Sequence, residues 1–320
     1  MSVPKVFIDG HAGTTGLRIR EYLRGRRDLR LLTIADPDRK DPVARTAQMN
    51  EADLVILCLP DDAAVQAVSM IENDTTKVVD ASTAHRIHPD WVFGLPELDD
   101  QQRARIAGAT RVSNPGCYPQ TVILALRPLL DAGLLPRSSP ITVHALSGYT
   151  GGGKSLIDRW EDPDAKLLSL VYEAPYAMDR VHKHVAEMHV NTGLEAAPMF
   201  VPAVGPFATG MRVQIPLHAS MLSPGTTAEH VQTTLAARYR DEPFIRVMPL
   251  RTTALGERDL DPSTVDGTNM IELHVLANPA GHILLVGLLD NLGKGAGGSA
   301  VQNLNLMLGL DESAGLRVSA

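Results

Sequence analysis

Over the first third of the chain, short continuous apolar runs alternate with stretches whose apolar positions recur at helical spacing. Val6-Phe7-Ile8 precedes a glycine cluster, after which Leu17 to Leu23 carries the helical period. Leu29 to Ala35 predicts a second strand, closed by Asp36-Pro37-Asp38. Leu54 to Leu59 is apolar at every position, the mark of a strand covered on both faces, and Pro60 ends it. Asp61 is placed to cap a helix through Ile71, and Lys77-Val78-Val79 predicts a further strand. Strands separated by helices give a parallel, doubly wound sheet with right-handed crossovers. The fold class is α/β.

The texture changes near residue 117. A helix from about Gln120 to Leu130, with a kink expected at Pro128, leads to a strand over Ile141–Ala145. Met211–Leu217, Ile271–Val275 and Ile283–Leu289 predict antiparallel strands with solvated turns between them. Val301 to Leu310 has a helical pattern suited to rejoining the first sheet. The expected organisation is a dinucleotide-binding domain of Rossmann type, residues 1–116 with about 297–320, and a second α+β domain, residues 117–296, with a mixed or antiparallel sheet.

Composition narrows the function. The 320 residues are 44% hydrophobic and 21% charged, which excludes a disordered chain. A net charge of −7 offers no basic excess for nucleic acid or an anionic membrane. No apolar run approaches the ~18 residues of a bilayer span, and Met1 to Lys5 lacks the charged and apolar blocks of a signal peptide. Two cysteines, Cys58 and Cys117, build no disulfide framework, so a cytoplasmic protein is expected.

Candidate chemistry begins at Gly10-His11-Ala12-Gly13-Thr14-Thr15-Gly16, between the first strand and first helix. Glycines there allow a tight turn and close approach of a pyrophosphate, which a helix N-terminus attracts. The spacing is one residue longer than the common dinucleotide fingerprint, and a plain glycine-rich turn would look the same. Asp36, 20 residues after Gly16, is the acid expected to hold a ribose 2′-hydroxyl, whereas Arg39 and Lys40 suit a 2′-phosphate.

Cys58 lies within an apolar strand and reads as core. Cys117 instead opens a helix, in Ser113-Asn114-Pro115-Gly116-Cys117-Tyr118-Pro119, where a thiolate is stabilised and becomes a nucleophile. His182-Lys183-His184 with Glu187 lies 65 positions downstream and supplies either of two proton carriers. The histidines have no cysteine pair and no usual ligand spacing, which argues against a metal site. A rival signal is Gly148 to Ser155, which fits the phosphate-loop pattern GxxxxGK[ST] and would make Lys154 and Ser155 the centre of an NTPase. The helix after Ser155 meets Asp162-Pro163 within two turns, too short to give a phosphate much dipole or packing.

Taken together, these segments resemble N-acetyl-γ-glutamyl-phosphate reductases of the shorter type, within the semialdehyde dehydrogenase superfamily. The resemblance spans nearly the whole chain: Gly10–Gly16, Leu59-Pro60, Asp80-Ala81-Ser82 with Arg86, and Phe93 to Glu97. It continues through Asn114 to Tyr118, Ser147-Gly148, His182 to Glu187, Asp290 to Ala296, and Gln302-Asn303. Asn-Pro-Gly-Cys-Tyr and Asp-Asn-Leu-x-Lys-Gly-Ala are its specific strings. Val185-Ala186-Glu187 lacks the proline many members carry after the histidines, and Thr83-Ala84-His85 replaces an acid and an aromatic.

The resemblance implies NADPH-dependent reduction of an acyl phosphate through a Cys117 thioester, in arginine biosynthesis, with His182 or His184 moving protons. It implies cofactor contacts at Leu59, Pro60 and Ser82, with Gly148, Gly151 and Asn291 around the nicotinamide. Substrate contacts are expected at Arg86, Asn114 and Glu187. It implies a homo-oligomer, dimer or tetramer. A relative acting on an aminoadipyl or aspartyl phosphate would carry the same motifs, because pocket residues decide that choice.

Overall fold

The computed structural model describes residues 3–251 and 254–319. Met1 and Ser2 of the N-terminal segment read above, and Ala320 at the end of the expected first domain, lie outside them. The chain divides into two compact units, 1–116 with 296–316, and 117–295 with 317–320. The last residues group with the second unit, where the Asn269 amide donates to the Arg317 carbonyl.

The first unit starts with β1 (Lys5–Asp9), α1 (Thr14–Leu23), β2 (Arg30–Leu32), α2 (Pro42–Glu51), β3 (Leu54–Leu57), α3 (Asp61–Ser69) and β4 (Lys77–Asp80). β5 (Val92–Phe93), α4 (Gln102–Gly108) and β6 (Arg111–Ser113) complete the sheet, in the order β2-β1-β3-β4-β6-β5 with every pairing parallel. All four side chains of β3 are fully buried. Each such aliphatic side chain is worth about 1.5–3 kcal/mol against exposure, so β3 anchors the sheet. Strand order reverses at β1, and the crevice at its C-terminal end is where such sheets bind nucleotides. Helix α2 had no strong apolar signal; Asp41 caps it by accepting from the Val43 amide. Asp61 is inside α3 rather than capping it, because Pro60 takes that place and the Asp61 carboxylate is spent on the Thr83 amide and hydroxyl.

In the second unit α5 (Cys117–Asp131) is followed by β7 (Thr142–Gly148), α6 (Lys154–Trp160), β8 (Ala174–Pro175), α7 (Val185–Thr192), β9 (Met199–Gly205) and β10 (Met211–Leu217). Then come α8 (Ala228–Arg238), β11 (Ile245–Val247), β12 (Ile271–Ala277) and β13 (Ile283–Leu289). The sheet order is β11-β12-β13-β10-β7-β9-β8, mixed because β7 with β9 and β11 with β12 run parallel while the other pairs are antiparallel. Helix α5 begins three residues earlier than its periodicity suggests and runs on through Pro128. Pro128 lacks the N–H that would bond the Leu124 carbonyl, and the Tyr239 hydroxyl donates to that carbonyl at 2.7 Å instead.

The chain then makes a π-helical turn, Gly293–Gly297, and enters α9 (Gly298–Leu308). α9 belongs to the first unit and is buried almost all round, with Ala300, Val301, Leu304 and Met307 in the core over β1, β3 and β4. Asn303 fixes it: its Nδ2 donates to the Gly94 carbonyl at 2.8 Å and to Asn114 Oδ1 at 3.1 Å. A side chain at Gly94 would sit 2.5 Å from that amide, so only glycine fits there.

Candidate functional site

In the first unit, Gly10 has φ +85°, and a Cβ there would collide with the Cys58 carbonyl. At Gly16 a Cβ would fall 2.5 Å from the Gly10 carbonyl oxygen, while at Gly13 the same distance is 3.4 Å. Gly10 and Gly16 thus let the turn close on itself, and the Gly13 amide donates to the Gly10 carbonyl at 3.0 Å. No side chain caps α1, so the amides around Thr14 and Thr15 are left for another acceptor. This backbone cradle at the end of β1 suits a pyrophosphate. Leu59 lies beside Gly10, its Cδ2 3.2 Å from where a Cβ would be, and Pro60 opens α3.

Asp36 is exposed, 3.7 Å from His11 Nε2, and Arg39 and Lys40 follow it on the surface. Ser82 donates to Asp80 at 2.6 Å, and the same carboxylate meets His85 Nδ1 at 2.6 Å. His85 stacks on Trp91 with centroids 4.1 Å apart, so the histidine replacing the usual aromatic is itself packed as one. Arg86 is half-buried and its guanidinium donates to the Ala81 carbonyl at 3.2 Å. Asn114 is buried, bonded through Nδ2 to the Ala296 carbonyl at 3.0 Å and through Oδ1 to Asn303. That arrangement makes it a clamp on the strand end. Sequence reasoning missed the Asp9–Arg45 ion pair at 2.7 Å, which ties α2 to β1; no local pattern announces it. The Cys58 thiol is pushed up by burial and by the carboxylates of Asp80 and Asp9, which keeps it protonated and inert.

In the second unit, Cys117 is the first residue of α5 and has no disulfide partner. A Cβ on Gly295 would lie 2.9 Å from the Cys117 Cβ, so the π-helical turn packs its bare backbone against the root of that cysteine. Gln120, one turn along α5 and fully buried, donates to the Lys294 carbonyl at 2.7 Å and holds that turn in place.

Tyr118 is buried, and four rings gather with it. His182 lies 6.1 Å away, His184 5.8 Å and Phe200 5.0 Å, while the Tyr176 hydroxyl donates to the Tyr118 hydroxyl at 3.1 Å. The two histidines lie in the turn leading into α7, where their rings meet edge to face at 4.7 Å. The His184 amide donates to His182 Nδ1 at 3.1 Å. Glu187 is buried in the first turn of α7, while Lys183 points to solvent. Burial raises the Tyr118 phenol well above its ordinary value, with charge at Tyr176 and Cys117 adding to it. Burial likewise pushes Tyr176 up to about 12, so both phenols stay neutral donors. The sequence pointed to Cys117 and the histidines; Tyr176 and Phe200 sit in segments with no motif.

Gly148, Gly151 and Asn291 come together. The Gly148 backbone passes against the Ala208 carbonyl too closely for a side chain, and a Cβ at Gly151 would lie 3.2 Å from Asn291 Nδ2. Asn291 is buried; it donates to Thr150 Oγ1 at 3.0 Å and accepts from the Gly210 amide at 2.9 Å, bracing the glycine loop. The phosphate-loop alternative fails on this geometry. Lys154 is exposed and paired with Asp158 at 3.0 Å, Ser155 is exposed, and α6 has seven residues. Asp290 is buried and accepts from the Gly267 and Leu292 amides at 2.8 Å each.

Among the described residues no helix is long and apolar enough to cross a membrane, and no group of three or more His, Cys, Asp or Glu is placed to hold a metal. Comparison with known proteins agrees with this division of labour. Residues 5–106 match the family described as semialdehyde dehydrogenase, NAD binding domain, and residues 117–291 match semialdehyde dehydrogenase, dimerisation domain. Aspartate semialdehyde dehydrogenase II from Vibrio cholerae superposes with a TM-score of 0.71 at 18% identity, over 96% of this chain and 99% of that one. The Francisella tularensis aspartate semialdehyde dehydrogenase gives 0.73 at 13%, over 95% and 100%. These likenesses establish the fold. At the sequence level, N-acetyl-γ-glutamyl-phosphate reductase 2 of Pseudomonas putida is 49% identical over 98% of this chain and all of its own. The Burkholderia cenocepacia reductase is 48% identical over 98%, and the Nostoc reductase 2 is 47% identical over 99%, each over its full length. With a glycine cradle in one unit, a helix-start cysteine and a histidine pair in the other, and relatives matched end to end, the chain belongs to the N-acetyl-γ-glutamyl-phosphate reductase family of oxidoreductases.

Proposed function

We propose that this protein reduces N-acetyl-5-glutamyl phosphate to N-acetylglutamate 5-semialdehyde and phosphate, using NADPH, as a step in arginine biosynthesis. The observation that carries the reading is Cys117 at the start of α5, packed against Gly295, in the unit that also holds the His182–His184 turn. The Cys117 sulfur attacks the acyl carbon, the bond to the phosphate oxygen breaks, and the thiol proton leaves with the phosphate. A nicotinamide dinucleotide supplies one hydride when bound. Hydride arrival at the acyl carbon leaves a thiohemiacetal oxyanion; rupture of its carbon–sulfur bond releases the aldehyde, and the departing thiolate takes one proton from solvent to restore the thiol.

The dinucleotide fits the first unit because the turn over Gly10–Gly16 leaves backbone amides uncapped and has no room for side chains at Gly10 and Gly16. Arg39 and Lys40, exposed after Asp36, support a 2′-phosphate and hence NADP(H). Arg86 suits a carboxylate or phosphate of the substrate. Asn114 and Asn291 are buried and brace neighbouring backbone and side chains, and Glu187 is buried at the start of α7. The match to a dimerisation domain supports a homo-oligomer, and two cysteines outside any disulfide suit the cytoplasm.

The test is the reverse reaction: phosphate-dependent reduction of NADP⁺ with N-acetylglutamate semialdehyde, by wild type and Cys117→Ser. The expected result is activity in the wild type and its loss in the variant. Inactive wild type with this substrate, but activity with an aspartyl or aminoadipyl semialdehyde, would move the substrate assignment.

A further inference from the structure

β4 ends at Asp80, in register with Leu57 of β3 and, through it, with Asp9, the residue before Gly10. Strand ends on this side of a parallel sheet are where dinucleotides bind. The loop leaving Asp80 is tied to that edge. The Ala81 amide donates to the Leu57 carbonyl at 2.9 Å, and the Thr83 amide donates to the Asp61 carboxylate in the first turn of α3 at 2.8 Å. The fully buried Asp80 side chain is the hub of the loop. Its Oδ1 accepts from the Ser82 amide at 2.9 Å, and its Oδ2 from the Ser82 hydroxyl and His85 Nδ1 at 2.6 Å each. A carboxylate has no hydrogen to give, so Nδ1 is the donor. One face of the His85 ring stacks on Trp91, with the planes 14° from parallel, just before β5. His85 is thus wedged between two fixed points. An aromatic ring in its place would keep the stack and leave the buried carboxylate one donor short.

We propose that His85 is a positioning residue for the dinucleotide crevice. By donating to Asp80 it orients the Ser82 hydroxyl and holds the loop as a preformed wall, so that less order has to be imposed when the cofactor arrives. It acts through Asp80 and not by contact with the cofactor. The proposal rests on the reading that the first unit binds a nicotinamide dinucleotide, and is independent of which acyl phosphate is reduced.

The experiment titrates the full-length protein with NADPH, and with NADH, by cofactor fluorescence without substrate. Phenylalanine in His85→Phe keeps a ring against Trp91 and donates nothing, whereas His85→Asn puts an N–H near the Nδ1 position; His85→Leu stands in if the phenylalanine variant does not fold. The expected result is a Kd raised about tenfold in His85→Phe, the order of one hydrogen bond to a charged group, and restored to within about threefold of wild type in His85→Asn. In phosphate-dependent reduction, the KM for the dinucleotide should follow the Kd while kcat stays within about twofold. Ser82→Ala tests the route: combined with His85→Phe it should weaken binding no more than the larger single change, because both act through Asp80. Unchanged binding by His85→Phe, equal losses in the phenylalanine and asparagine variants, a fall in kcat at constant KM, or Ser82 and His85 losses that multiply would each overturn the proposal. A wild type that binds neither dinucleotide overturns the cofactor reading and the proposal with it, whereas a wild type that binds beside an unaffected His85→Phe overturns the proposal alone.

Discussion

Gly295→Ala probes the seat of Cys117. The added methyl would lie 2.9 Å from the Cys117 Cβ and 2.9 Å from the Asp290 carbonyl oxygen. Ordinary contact begins at 3.4 Å, so one side must withdraw by about 0.5 Å. Neither neighbour is the end of a flexible side chain: one is the root of the cysteine in a helix, the other backbone. Misplacing a reacting group by about 1 Å costs on the order of 10²-fold in rate, so half of that predicts roughly tenfold in kcat/KM, or about 1.4 kcal/mol. Overpacking adds about 1–3 kcal/mol of destabilisation. The assay is kcat/KM for phosphate-dependent NADP⁺ reduction, alongside the rate of Cys117 alkylation and the Tm. Gly108→Ala is the control, since a Cβ there meets nothing within 4 Å. If Gly295→Ala retains kcat/KM and alkylation rate within twofold of wild type, the idea that this turn positions the thiol is wrong.

Two further outcomes can be stated briefly. Gly16→Ala should weaken NADP(H) binding by roughly tenfold or more in a fluorescence titration, because the Cβ would strike the Gly10 carbonyl and the His11 Cα, both backbone; Gly13→Ala, at 3.4 Å, should cost much less, and equal effects would refute the cradle geometry. Glu272 is held below its ordinary 4.5 by His274, whose Nε2 lies 3.7 Å from the carboxylate, and by Arg246, which donates to it at 3.0 Å. A depressed carboxyl stabilises the fold above its unfolded pKa and loses that contribution as pH falls through the folded value. The Tm gap between wild type and Glu272→Gln should therefore be widest near pH 7 and close below about pH 4; a gap independent of pH would exclude the ionic origin.

Much of this molecule was readable along the chain because its information is local. β3 declares itself by four consecutive aliphatic residues, and the turn over Gly10–Gly16 by glycines at positions where the backbone meets itself. Cys117 stands out because a helix start is written in the residues around it. Less was readable where partners are distant. The continuation of α5 through Pro128 rests on the Tyr239 hydroxyl, more than a hundred residues away. Asp61 has the composition of a cap, yet its carboxylate goes to Thr83. The glycine-lysine loop matched a phosphate-binding pattern in full and was decided against by what surrounds it: a short helix, a paired lysine, and glycines pressed on neighbouring backbone.

Neighbouring positions alone set the fold class and marked Cys117 and the two histidines as candidates, because periodicity, helix-start chemistry and residue type are local properties. Only the tertiary structure decided how those parts are set. Folding set the His184 amide against His182 Nδ1 and gathered Tyr118, Tyr176 and Phe200 around that ring. It also turned Asn114 and Asn291 into braces. Hydrogen bonds and close packing depend on positions in space to within a few tenths of an ångström, and residues far apart in the chain acquire such positions only when the whole unit has folded.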